Sequence, residues 1–188
     1  MITAYIDFKS LDCFLAISPI LELADDCETP VSWQPYRRKE RALPTQVANE
    51  SVTQTHHRVR AASERRLQLH YARLRGLDID PSRGQIDTSA ALRWLASLEG
   101  DTSSFVSRLF TAHWIDRTDI NDPTFLQELT TQCGLRRTGD AVDLRSIERK
   151  AEEKGLFDAP TFFIEGQMFT GRAHIPLMRQ LLADGGDR

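Results

Sequence analysis

Cysteine is scarce in this chain of 188 residues: Cys13, Cys27 and Cys133 are the whole complement. An odd number at such wide spacing builds neither a disulfide framework nor a zinc cluster, so no metal is expected. No run approaches the roughly 18 apolar residues of a membrane span, and no membrane partner is expected. Charge of one sign is lacking too. A formal net charge of −3 and a pI near 6.0 give no overall pull on polyanions. Phosphate-binding loops, dinucleotide glycine patterns, the G-x-S-x-G elbow and metal signatures are all missing. The opening MITAYIDFKSLD has no basic stretch leading into an apolar core and a small-residue cleavage site, so a cytoplasmic location is expected. What remains is 40% hydrophobic and 27% charged, an ordinary globular composition. The length suits one generous domain, or a small domain with a large insertion.

The first 36 residues read as strand, helix, strand. ITAYIDF is a compact apolar run rich in β-formers. Ser10 follows as a natural helix cap, because its side-chain oxygen can accept a first-turn N–H. Apolar residues then recur at helical spacing from Leu11 to about Asp26, with Pro19 predicting a kink. PVSWQPY, residues 30–36, reads as the second strand, which implies a right-handed parallel crossover. From about Glu50 to Lys154 only helical patterns appear. A long helix ends near Gly76, others start from Asp87 and Asp101, and another has Asp122 as cap with Pro123 at its first position. The last of the series ends near Gly155. Strands return in APTFFIEGQMFTG, with a hairpin turn at Glu165-Gly166 or Gly166-Gln167, and AHIPLMRQLLA closes the chain as a helix. The expected fold is α/β. Residues 1–48 and 155–188 would form a mixed four-stranded sheet with helices, and residues 49–154 an inserted helical domain.

The stretch SLDC, Ser10 to Cys13, raises a choice. A helix N-terminus carries about half a positive charge and free N–H groups, which stabilise an adjacent anion. Ser10 is then either a plain cap or the anchor of such an anion. Cys13 lies one turn later on the same helix face. It is either a reactive monothiol or an inert small residue, and Asp12 beside it opposes a thiolate. Farther on, His56 and His57 are adjacent and cannot put both rings on one helix face, which argues against chelation by the pair. With Asn49 and Arg60 they are candidates to line a cleft. Residues 37–75 hold ten basic and three acidic residues, a net of +7. Such a stretch attracts an anionic substrate or forms a solvated face. Few aromatics stand beside the arginines to stack bases, so no nucleic-acid partner is expected.

Three segments carry a resemblance to a known family: YIDFKSLDCFLA (residues 5–16), DINDPTFLQELTTQCGL (119–135) and KGLFDAPTFFIEGQMFTGRAHIPLMRQLL (154–182). Their order and content resemble the DsbA-like branch of the thioredoxin fold. Within it the chain looks most like 2-hydroxychromene-2-carboxylate isomerases and kappa-class glutathione transferases. The resemblance implies a thioredoxin-like sheet, glutathione as co-substrate and a homodimer. It implies that Ser10 hydrogen-bonds the glutathione sulfur and favours its thiolate. It implies a cis Pro160 opposite Ser10, with Ala159 offering its backbone to an extended peptide. Gly171 and Arg172 stand where the family holds the γ-glutamyl carboxylate, and Arg172 could pair with it. Leu11 replaces the family's proline after the serine. Ala173 replaces an acid that would bind the γ-glutamyl ammonium group.

The function this implies is a glutathione- or thiol-dependent isomerase or transferase. Ser10 and Cys13 are its candidate catalytic residues, and Leu11, Ala159, Pro160, Gly171 and Arg172 its cofactor-binding residues. Its partners would be a small-molecule thiol and an anionic or electrophilic substrate. Two alternatives stay open: a monothiol disulfide oxidoreductase acting through Cys13, and a non-catalytic binding protein that keeps the groove.

Overall fold

The computed structural model describes residues 1–39, 51–139 and 142–185, with side chains described to residue 183. Asn49, Glu50 and the centre of the 37–50 linker lie outside the described residues. Strand β1 (Ile2–Ile6) leads into helix α1 (Leu11–Asp26), and β2 (Val31–Pro35) returns parallel to β1. Near the other end of the chain, β5 (Thr161–Ile164) pairs antiparallel with β1, and β6 (Gln167–Thr170) pairs antiparallel with β5. The sheet order β2-β1-β5-β6 is therefore mixed, as the sequence implies. Glu165 and Gly166 both take positive φ, at 50° and 80°, which gives the β5–β6 hairpin the turn that two-residue loops favour.

Burial explains the central strand. Ile2, Ala4, Tyr5 and Ile6 are buried and only Thr3 is partly covered, so β1 is enclosed on both faces along most of its length. Leu15, Ile20 and Leu23 of α1 are fully buried, and Pro19 lies inside the helix. Helices α3 (Ser89–Ala96), α4 (Ser103–Trp114), α5 (Pro123–Gln132) and α6 (Leu144–Glu153) follow, and α7 (Ile175–Gly185) closes the described chain. Phe105, Leu109 and Phe110 of α4 are buried, and Phe110 lies 4.9 Å from the Phe8 ring, joining α4 to the end of β1. The helical segment also contains a two-residue ladder that no sequence pattern announces: β3 (Leu98–Glu99) pairs with β4 (Arg136–Arg137).

The described chain divides into two compact units. One comprises Met1–Arg38 with Pro81–Arg188, and the other comprises Lys39–Asp80. The second is built around α2 (Val52–Leu74), started by a capping box in which the Ser51 side chain and Gln54 satisfy each other's backbone N–H groups. No described helix is long and apolar enough to cross a membrane.

Candidate active site

The turn between β1 and α1 is built by Ser10. Its backbone is extended, and its hydroxyl oxygen accepts the Cys13 N–H at 3.3 Å. Its own N–H donates to the Asp7 carbonyl at 3.0 Å, which closes the turn. Ser10 is 2% exposed, so the cap lies just under the surface. Leu11 is also buried and begins the helix in the place where a proline would have had no N–H to lose.

Cys13 is fully buried. Its sulfur accepts the Asp7 N–H at 3.5 Å. Burial pushes the thiol up to about 12, and the nearby Asp7 charge works in the same direction. Hydrogen bonds from the Asp7 backbone and the Ser10 side chain favour the thiolate but do not offset burial. Only a thiolate is nucleophilic, so Cys13 is held as an inert thiol at neutral pH. Cys27 and Cys133 are partly exposed. Iodoacetamide is therefore expected to modify Cys27 and Cys133 in the native protein while Cys13 stays unmodified until urea unfolds the chain. Peptide mass mapping checks this, and rapid native labelling of Cys13 would contradict it.

Asp7, at the end of β1, carries no motif signal, yet it organises this end of the sheet. It is completely buried. Its carboxylate accepts the Thr88 hydroxyl at 2.6 Å, the Arg38 N–H at 2.7 Å and the Lys9 N–H at 3.3 Å. Burial raises its pKa, against the lowering effect of those donors. The carboxylate thus fastens the β1 end, the chain after β2 and the start of α3 to one another.

Just before β5 the Ala159–Pro160 peptide is cis. The Pro160 carbonyl accepts the Gly171 N–H at 2.8 Å, which ties the end of β6 to the start of β5. Gly171 sits at φ +81° and ψ 161°, a conformation open to glycine. Ala159 is 3% exposed, and its N–H donates to the Asp158 carboxylate at 2.9 Å. Asp158 also receives the Arg38 guanidinium at 2.8 Å. Arg172 lies 3.6 Å from Asp12 in the first turn of α1, with both side chains partly exposed. Two arginines, Arg38 and Arg172, therefore stand with Asp12 and Asp158 about the N-terminus of α1. Burial pushes the Arg38 pKa down, but the charge and hydrogen bond of Asp158 and the smaller effects of its other neighbours together raise it.

The structure thus brings Ser10, Leu11 and Cys13 together at one helix start. Ala159, Pro160 and Gly171 stand together at the adjoining strand ends, and Arg172 bridges to Asp12. His56, His57 and Arg60 lie on α2, in the other unit. Asp7, Arg38 and Asp158 are the residues that sequence reasoning missed. The one available signal was an acid closing a wholly apolar strand, Asp7 after ITAYI. In the sequence Arg38 is one charge of the basic stretch, with nothing local to mark its partner. Among the described residues no group of three or more potential metal ligands occurs.

The family model for a DSBA-like thioredoxin domain matches residues 1–183. Among solved structures, a 2-hydroxychromene-2-carboxylate isomerase is similar at 14% identity and a TM-score of 0.71, over 97% of this chain and 94% of that one. The cytosolic disulfide reductase DsbM from Pseudomonas aeruginosa, in a structure with GSH, is similar at 18% identity and a TM-score of 0.58, over 100% of this chain and 99% of that one. At these identities the likeness is one of fold. No curated protein matches the sequence.

Proposed function

The chain belongs to the DSBA-like thioredoxin domain family, and from that premise we propose that it is a thiol-dependent isomerase or transferase that takes glutathione as co-substrate and holds its sulfur at Ser10. One observation carries this reading. The Ser10 oxygen is fixed at the N-terminus of a 16-residue helix by the Cys13 N–H, and its hydroxyl, hydrogen-bonded to Cys13, would turn to the ligand's sulfur instead. The helix start adds partial positive charge to that donor, and both effects favour a thiolate over a thiol. The Ala159 N–H is engaged by Asp158, so the Ala159 carbonyl, at the cis-proline, would receive the ligand's backbone N–H. Arg172 would exchange its contact with Asp12 for the ligand's carboxylate, at a site with no acid at position 173 for the ammonium group.

The chemistry is reversible addition. The thiolate forms a C–S bond to an unsaturated carbon conjugated to a carbonyl, and the π electrons move to the carbonyl oxygen. The former double bond, now single, rotates. Collapse of the enolate then breaks the C–S bond and returns the thiolate, so no electrons are gained or lost overall. The burial of Cys13 weighs against the disulfide oxidoreductase reading, because its protonated thiol offers no nucleophile.

Calorimetric titration with reduced glutathione tests the reading, with the thiolate followed by its ultraviolet absorbance across pH. Binding in the millimolar range or tighter, with the bound thiol ionising below the free one, is expected. Ser10→Ala removes a hydrogen bond to a charged atom, worth about 2 kcal/mol, and should weaken thiolate binding by at least about tenfold while S-methylglutathione is unaffected. Absence of binding to the wild type at millimolar glutathione would sink the proposal and favour a non-catalytic groove.

A further inference from the structure

Helix α2 has a covered side and an open side. Ala72 is buried, and Thr55, Arg58, Ala61, Arg65 and Gln68 are partly covered. The open side carries the largest exposed apolar residues of the helix: Val52 at 74%, Val59 at 51%, Leu67 at 62% and Leu74 at 72%. His56, Ser63 and His70, all exposed, fill the gaps between them. The spacing runs four, three, four, then four, three, four. Eleven residues to three turns, about 3.67 per turn, is close to the 3.6 of the helix, so the stripe drifts only slowly around it.

The stripe is also palindromic about Ser63. Val52 and Leu74 stand eleven residues either side, His56 and His70 seven, Val59 and Leu67 four. Two copies laid antiparallel with Ser63 on a two-fold axis therefore match every position. Val59 meets the second copy's Leu67, Val52 meets its Leu74, and His56 meets its His70. A two-fold interface requires such self-complementarity. Ser63, the smallest residue of the stripe, sits at the crossing and lets the helices approach. It shares a shallow surface concavity with His56, Val59, Arg60 and Glu64.

Charge agrees with the same register. Arg60 and Glu64 flank the stripe on one side and pair with each other at 2.9 Å, both well exposed. In the antiparallel pair, Arg60 lies within about 3 Å along the axis of the second copy's Glu64, and the reverse holds by symmetry. Two positive and two negative charges then alternate across the axis. On the other flank Arg66 falls beside the second copy's Ala62, which leaves room for it. A membrane surface fits the stripe less well: it is narrow, carries no aromatic residue and is interrupted by three polar side chains.

We infer that α2 is a homodimerisation helix, docking antiparallel on the α2 of a second copy through the Val52–Val59–Leu67–Leu74 stripe with Ser63 at the two-fold axis. A helix about 34 Å long covers only part of the roughly 800 Å² per partner of a standard interface, so the dimer dissociates on dilution.

Sedimentation velocity of the full chain over a concentration series tests this. A monomer–dimer equilibrium is expected, and Leu67→Glu should raise its dissociation constant by at least about tenfold with unchanged circular dichroism. Arg60→Glu and Glu64→Arg should each weaken the dimer, and the double exchange should restore it. In a Cys27→Ser/Cys133→Ser background, Ser63→Cys should close a disulfide between copies on mild oxidation. A dimer indifferent to Leu67→Glu would overturn the inference, as would a chain that stays monomeric at every concentration. Monomeric protein that instead floats with phosphatidylcholine–phosphatidylserine vesicles, and loses this with Leu67→Glu, would overturn it in favour of a membrane surface.

Discussion

Asp7→Ala is expected to destabilise the protein by about 3 kcal/mol in urea unfolding, more than any other single truncation at the candidate site. The side chain is small, so the loss is not one of packing. The carboxylate is the acceptor for the Thr88 hydroxyl, the Arg38 N–H and the Lys9 N–H, and Thr88 is itself buried. A threonine hydroxyl can turn toward another acceptor, but a backbone N–H cannot. Burying an unsatisfied donor costs about 1–3 kcal/mol. The substitution also releases the backbone of Arg38, whose guanidinium reaches Asp158 and thereby the Ala159 N–H. Thiol binding should therefore weaken together with stability. Asp7→Asn is the milder control. Its amide oxygen replaces one acceptor, but its NH₂ meets a donor at the other, and a loss about half as large is expected.

The two variants also differ in their dependence on pH. Burial raises the Asp7 pKa above its unfolded value. Between the unfolded and the raised value the folded protein holds a proton that the unfolded chain has lost. The wild type therefore loses stability relative to Asp7→Asn as pH rises from about 4, and the difference levels off above the folded pKa. A wild-type minus Asp7→Asn stability difference that stayed constant across this range would refute the buried, strained carboxylate.

What could be read locally was read correctly in the chain. Ser10 announces α1, Asp122 and Pro123 announce α5, and Glu165-Gly166 announces the hairpin, because each needs only its immediate neighbours. Asp87 and Asp101 mark a deviation. The residues at the caps are Thr88 and Thr102, while each aspartate accepts the N–H two residues on, from Ser89 and Ser103. Thr88 makes no side-chain cap because its hydroxyl is committed to Asp7, 81 positions away. That pairing has no local signature. The same holds for the basic stretch: Arg37 chelates Glu148 and Arg38 chelates Asp158, each more than 100 positions distant. Composition records the charges and not their partners. The β3–β4 ladder, two residues a side, is too short to leave any periodicity.

Acid should unfold this protein through His113, with stability falling by up to about 3 kcal/mol between pH 6.5 and 4. His113 is fully buried on α4. Burial lowers its pKa to about 4, and the Arg83 guanidinium adds to the effect. The clamp around it is reciprocal. The Arg83 guanidinium lies 3.3 Å from Nδ1 and donates to the His113 carbonyl at 3.1 Å, while Nε2 stands 3.0 Å from the Arg83 carbonyl. These contacts select the neutral ring with Nε2 protonated and Nδ1 as acceptor. Protonating Nδ1 would turn two donors toward each other and add a second positive charge beside the first. The folded state thus binds fewer protons than the unfolded one in this window. Its contribution is complete above the ordinary histidine pKa and is lost as pH falls through about 4. Arg83 also donates to the Thr118 carbonyl at 2.6 Å, so the same guanidinium holds the 3₁₀ turn Pro81–Gln85 to the end of α4 and the loop after it. His113→Gln keeps an acceptor and a donor but cannot take up a proton. It should be less stable than the wild type at pH 7.5 and lack the histidine-linked decline between pH 6.5 and 4, so that the two curves converge or cross. Parallel curves for the two proteins would show that His113 is not the acid-sensitive group.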